Sequence, residues 1–266
     1  MISGALFRKE ARDSLGLWLI IVAVNALYFA IIVWMFDPEL GSALKTFEEA
    51  MPGLMSMFGM VPAGENLTQF MGAYLYGMIM QIFPIVFTIV TANRLIVKHV
   101  DSGSMAYLLA APVSRVKLAV TQLAVLVSGL VLMIASCTGL GILLAEAMFP
   151  GELNIRGFLL LNVACLCLQI CIMGISYLSS CAANESRRSL AFGAGIPVLA
   201  YVLQMLSTQG EAAKNFRYAS FFTLFDVSGL INAETTALLQ AGVLLLIGLV
   251  LAVIGVLVFK RKDLHI

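Results

Sequence analysis

Charge is what this chain has least of. Asp, Glu, Lys and Arg make up 12% of 266 residues and almost cancel, leaving a formal net charge of +1. Without a field of one sign, the chain has no general means of gathering nucleic acid or an acidic substrate. Histidine is scarcer still. His99 and His265 are the only two, and no His-Glu-x-x-His or Gly-x-Ser-x-Gly arrangement occurs, which argues against the usual metalloprotease and serine-hydrolase chemistries. No Gly-x-x-x-x-Gly-Lys-Ser/Thr run is present either, so the chain lacks the loop that cradles nucleotide phosphates. The five cysteines, Cys137, Cys165, Cys167, Cys171 and Cys181, all lie in apolar stretches. They read as small hydrophobes with no disulfide framework, and Cys165-x-Cys167 lacks the loop and His partners of a zinc site.

What fills the chain instead is hydrocarbon. Apolar residues make up 61% of it and the mean hydropathy is +0.99, far outside the range of a soluble globular protein. A bilayer core about 30 Å thick needs about 20 apolar residues per helix. Six stretches qualify: 15–36, 72–97, 117–146, 157–183, 190–207 and 238–259. The fifth is interrupted by Gly193, Gly195 and Pro197, which spans tolerate where neighbours re-satisfy the backbone. The expected fold is an all-α integral membrane protein, one transmembrane domain over 1–266. Residues 2–14 mix Ile2, Ala5 and Leu6 with Arg8, Lys9, Glu10, Arg12 and Asp13, the pattern of an interfacial helix leading into the first span. The apolar run that follows is too long for a signal-peptide core and has no small-residue cleavage site.

Orientation follows from the distribution of Lys and Arg. Arg8, Lys9, Arg12, Arg94, Lys98, Arg115, Lys117, Arg187, Arg188, Lys260, Arg261 and Lys262 put twelve on one side, against Lys45, Arg156, Lys214 and Arg217 on the other. The positive-inside rule places the first set, and both termini, in the cytoplasm. On the outer side, 37–71 is expected to include a helix, because Leu44, Phe47, Met51, Leu54 and Phe58 repeat at three- and four-residue spacing. Half of the fourteen methionines lie between Met51 and Met80. Methionine there suits irregular apolar packing, with Cu(I) binding as the rarer alternative. The second outer segment, 208–237, centres on the apolar-aromatic run 218–226. It is too short to cross a bilayer, so it is expected to dip into the outer leaflet and return.

The six spans carry almost no ionisable residue away from their ends, which weighs against a proton- or sodium-driven carrier. Their uncharged polar residues, Asn25, Gln81 and Gln169 among them, read first as hydrogen bonds between helices. Gly139-Leu-Gly141, Gly193-Ala-Gly195 and the pair Gly248 and Gly255 read as close helix packing.

The most informative stretch is the polar interruption 94–117. Asp101 and Ser102 can accept from the free N–H groups of a first helical turn, Gly103 permits a sharp entry, and Pro112 stops the helix. Between them, 103–111 reads as a short helix with Met105, Leu108, Leu109 and Pro112 on one face, bracketed by Arg94, Lys98, Arg115 and Lys117. Pattern alone leaves two readings open, a helix floating on lipid headgroups or one docking a partner. The run Asp101-x-Gly103-Ser104-Met105-x-x-Leu108-Leu109-x-x-Pro112-Val-Ser-Arg115 resembles the cytoplasmic coupling segment of type-2 ABC exporter permeases. There an acidic residue, Gly-Thr-Leu, Leu-Leu and Pro-Val-Ser-Arg recur in order. Ser104 stands here for the usual Thr and Met105 for the usual Leu. The aromatic stretch before the last span and the ending Phe259-Lys260-Arg261-Lys262-Asp263 resemble the same family more loosely.

That resemblance implies a non-catalytic membrane subunit. ATP and magnesium would sit on a separate ABC ATPase, with a second permease copy completing the pathway. Asp101, Gly103, Ser104, Met105, Leu108, Leu109, Pro112 and Arg115 would form the ATPase-coupling contact. Glu185, Arg187 and Arg188 in the next turn on the same side are a second candidate contact, or simple positive-inside anchoring. The nearly uncharged spans favour an amphipathic or hydrophobic cargo such as a peptide antibiotic, drug or lipid. An ion-coupled carrier and a non-transporting membrane assembly component remain as alternatives.

Overall fold

The computed structural model describes residues 2–37, 66–103, 105, 114–207 and 211–262. Six helices in it are long and apolar enough to cross a membrane. They are α1 (Gly4–Met35), α2 (Leu67–Asp101), α3 (Arg115–Met148), α4 (Ile155–Ala182), the pair α5 (Ser186–Gly193) and α6 (Gly195–Ser207), and, after the short α7 (Val227–Ile231), α8 (Thr235–Arg261). Among the described residues there is no strand. The family of spans expected from hydropathy is therefore present, with ends that differ for local reasons.

The residues read as an interfacial lead-in are the first turns of α1 itself. Nothing in that stretch caps a new helix. The Ser14 hydroxyl donates to the Glu10 carbonyl within the helix (2.8 Å), and Glu10 is 3% exposed beside Lys9 (3.7 Å), not on a solvated face. The second span begins at Leu67, so the last residues assigned to the outer loop are helical. The remainder of that loop, including the stripe from Leu44 to Phe58, lies outside the described residues. Of the clustered methionines, Met71 and Met80 are core residues and Met78 is 44% exposed.

α4 is the central post. Its seam with α8 is made by glycines: a Cβ on Gly248 would lie 2.5 Å from the Ile170 carbonyl oxygen, and one on Gly174 2.6 Å from the Gly248 oxygen. Lipid tails are as apolar as Leu, so helices in a bilayer gain by backbone approach, and only glycine permits this one. Gly139 and Gly195, by contrast, face open space. α1 is held to α3 by the Trp18 Nε1–H donating to the Gly129 carbonyl (2.9 Å). Segment 208–237 turns back on the bundle as far as it is described. Phe222, Phe225, Val227 and Leu230 are buried, and the Ser220 hydroxyl donates to the Ala200 carbonyl of α6 (2.7 Å).

α2 is the irregular helix. It contains two π-helical turns, Leu75–Ile79 and Asn93–Val97, with Pro84 between them. Proline has no N–H to give the carbonyl one turn earlier, here that of Met80, and carbonyls left bare in hydrocarbon are costly. The neighbours supply donors. Gln169 of α4 gives its Nε2–H to the carbonyls of Met80 (3.3 Å) and Gln81 (3.1 Å). Tyr201 of α6 donates to Gly77 (3.3 Å), and Gln122 of α3 donates to Leu95. The expectation of polar links between helices thus holds for Gln169. It fails for Asn25 and Gln81, whose short amides reach carbonyls of their own helices, Ile21 (2.9 Å) and Tyr76 (2.7 Å).

Candidate functional site

The end of the bundle that carries the basic residues is knitted together by side chains reaching backbone. α2 ends at Asp101, followed by Ser102 and Gly103 with φ +69°, the left-handed turn that glycine adopts without penalty. The Ser102 and Gly103 N–H groups donate to Lys98 and Val100 carbonyls (both 3.1 Å). Gly103 therefore closes α2, where the sequence suggested the entry to the next helix. Asp101 is also placed differently. Its Oδ2 accepts from the Ser186 N–H (3.2 Å), so it caps α5, a helix far away in sequence whose own N-cap residue Glu185 makes no such bond. Asn93 completes the clasp by donating to the Ser186 carbonyl (3.2 Å).

Other links extend this platform. Arg94 donates to the Asp13 carbonyl of α1 (2.6 Å) and to the Ser14 hydroxyl. Ser114 caps α3, accepting from the Lys117 N–H (3.2 Å). Arg115, the first residue of α3, donates to the Lys262 carbonyl (2.8 Å). Lys262 in turn donates to the carbonyls of Cys181 (3.1 Å) and Ala183, neutralising the negative end of the α4 dipole. Burial pushes the Lys262 ammonium below the usual lysine range, partly countered by Cys181. The result is that the ends of α2 and α4, the starts of α3 and α5, and Lys262 form one mechanical unit.

Of the coupling residues named from sequence, Asp101, Gly103, Met105 and Arg115 are placed, while Ser104, Leu108, Leu109 and Pro112 lie outside the described residues. Met105 is 1% exposed and packs in this chain's own core with Leu95, Ile96, Leu118 and Phe259. It is an anchor of the segment here and not an exposed docking knob. Glu185 pairs with Arg188 one turn on (3.4 Å). Arg187 and Arg188 belong to the first turn of α5 and not to a loop.

A family model described as ABC-2 family transporter protein matches residues 5–264. The chain belongs to that family. No curated protein matches it. It is thus an ABC-2 permease, a multi-pass membrane transport component of a family that works with an ABC ATPase. What sequence reasoning missed in the permease are Asn93, Ser186 and Lys262. Their roles are side chain to backbone across 79 to 147 residues of chain, and no local pattern marks such a bond. Among the described residues no group of three or more His, Cys, Asp and Glu could hold a metal.

Proposed function

We propose that this permease is the membrane half of an ATP-driven exporter. A separate ATPase subunit holds ATP and magnesium, and two permease copies form the path for an amphipathic or hydrophobic cargo such as a peptide antibiotic, a drug or a lipid-like compound. The twelve-to-four distribution of Lys and Arg supports a cytoplasmic placement of both termini and of the 94–117 segment.

The observation that carries this reading is the platform at the basic end. A push on the segment that follows Gly103 is delivered through Asp101 and Asn93 to α5, through Arg94 to α1, and through Arg115 and Lys262 to the end of α4. Such a rigid set of links converts a local contact into tilting of several spans. Met105 sits at the inner side of the lever. Leu108 and Leu109 follow it at three- and four-residue spacing and are the proposed apolar contact with the ATPase. Resistance or immunity to a membrane-active compound is the physiological role this cargo class favours.

The test is co-purification of the tagged chain from its native membrane, followed by ATPase and vesicle-transport assays with wild-type and Leu108→Glu protein. The variant is expected to insert normally and to lose transport together with the ATP-hydrolysing partner. A partner retained without coupling would move Leu108 to the inner, anchoring side with Met105. Full coupling in the variant, or an ATPase absent from the wild-type eluate, would overturn the exporter mechanism as stated.

A further inference from the structure

A groove of about 490 Å³ runs between the end of α4, α5–α6 and α8, within the range of ligand sites. We propose that it binds an anionic phospholipid of the inner leaflet, with the phosphate at Arg188 and an acyl chain laid along Phe192, Ile196 and Leu251.

The groove is open because α5 stands on serines. Ser176 and Ser179 of α4 donate to the carbonyls of Gly193 (2.8 Å) and Ser189 (2.9 Å), and Ser180 meets the Ser189 hydroxyl (3.0 Å). These bonds pin α5 along one edge, and α6 continues from it through Ala194, whose N–H donates to the Leu190 carbonyl (2.9 Å). The other edge is left unfilled. Its body is apolar, formed by Ile175, Leu178, Phe192, Ile196 and Leu251. Phe192 and Ile196 remain 63% and 47% exposed, on a face that only hydrocarbon satisfies.

Ser179 in the lining spends its hydroxyl on the Ser189 carbonyl, and the remaining polar side chains lie at one end. Asn184 and Arg188 line the mouth, Arg187 precedes Arg188 on the same turn, and the Lys262 ammonium bonds the carbonyl of Ala183, another lining residue. An ammonium has three donors, and two of those on Lys262 are assigned to carbonyls. Among the described residues two acids lie at this end of α5: Asp101, whose Oδ2 accepts from the Ser186 N–H, and Glu185, whose Oε2 lies 3.4 Å from the Arg188 Nε, so that pair engages one edge of the guanidinium. From Ala183 back to Ile175 the groove follows α4 for about 12 Å, at 1.5 Å per residue, within one leaflet. One cationic end and an apolar body of that depth match a phosphate and its chain. The exposed apolar stripe continues along α6 through Leu199 and Leu206 and suits an acyl chain or a partner helix alike; the cationic mouth is the feature that selects a phosphate.

The inner-leaflet placement rests on the orientation proposed above. The test does not, since a detergent micelle has no sides. Purified full-length permease is titrated with phosphatidylglycerol or phosphatidylcholine and the bound lipid read by native mass spectrometry. Both lipids carry an anionic phosphodiester, but the choline ammonium of phosphatidylcholine is repelled at the cationic mouth, so wild type is expected to hold phosphatidylglycerol roughly tenfold more tightly. Arg188→Gln removes that preference, while Glu185→Gln, which frees the guanidinium, increases it, a gain that misfolding cannot mimic. Ile196→Trp, filling the apolar body, weakens both lipids. Equal retention of the two lipids by wild type, or a phosphatidylglycerol affinity untouched by Arg188→Gln and Ile196→Trp, would overturn the proposal. So would groove cysteines that cross-link between two copies and exclude lipid.

Discussion

Replacing Gln169 with Leu tests how α2 survives its own irregularity. Gln169 is fully buried and gives both of its Nε2 bonds to α2, at 3.3 Å to Met80 and 3.1 Å to Gln81. Polar bonds between membrane helices are worth about 0.6 kcal/mol on average and about 1.7 at most, so their loss costs roughly 1–3 kcal/mol. Against this, the Gln169 Oε1 has no hydrogen-bond partner among the described residues, and removing an unsatisfied buried acceptor recovers roughly 1–3 kcal/mol. The two effects nearly offset, and the net change of Gln169→Leu alone is expected to lie within about 2 kcal/mol of zero in either direction. The informative quantity is the coupling to Pro84. In Pro84→Ala the restored N–H at position 84 can serve the Met80 carbonyl, so Gln169→Leu then forfeits only the Gln81 bond. Relief of the orphan oxygen occurs in both backgrounds and cancels in the cycle. The expected interaction energy is about 0.5–1.5 kcal/mol, with the double variant more stable than additivity predicts. Reversible unfolding of the four proteins in mixed micelles with sodium dodecyl sulfate measures it. Additivity to within about 0.3 kcal/mol would show that Gln169 does not stand in for the amide that Pro84 lacks.

Two further outcomes follow from the packing. Gly248→Val should cost about 3 kcal/mol by overpacking, because the nearest atoms, Ile170 O and C and Cys171 N, are backbone and cannot yield. Gly242→Val on the same helix, with nothing within 4 Å, should change stability by less than about 0.5 kcal/mol in the same unfolding assay; similar costs for both would refute the Gly248 seam. Asp101→Ala should speed amide hydrogen exchange in the first turn of α5 several-fold by removing its cap. Glu185→Ala, which takes away no capping bond, should leave that turn protected; the opposite order would remove Asp101 from the platform.

The sequence by itself determined the class of protein and the count of spans, because both depend on local quantities. Twenty apolar residues in a row must be buried from water wherever they go, and a helix is the structure that satisfies its own backbone in lipid. The same local chemistry exposed the 94–117 segment as the place where the apolar pattern breaks and where the family motif lies. It also named Gly248 as a close approach, but by a rule that named Gly139 and Gly195 as well, and those face open space. Tertiary structure decided the rest. Whether Met105 faces a partner or its own core depends on what packs beside it, and periodicity defines a stripe without saying which body covers it. Asp101 carries the right chemistry for a cap, but the helix it caps begins at Ser186, 85 residues later. Gln169 is one polar residue among several until Pro84 and the π-turns of α2 leave carbonyls at its level. Such bonds join positions 88 or 89 residues apart, and a carbonyl's need for a donor is created only when the helices have already met.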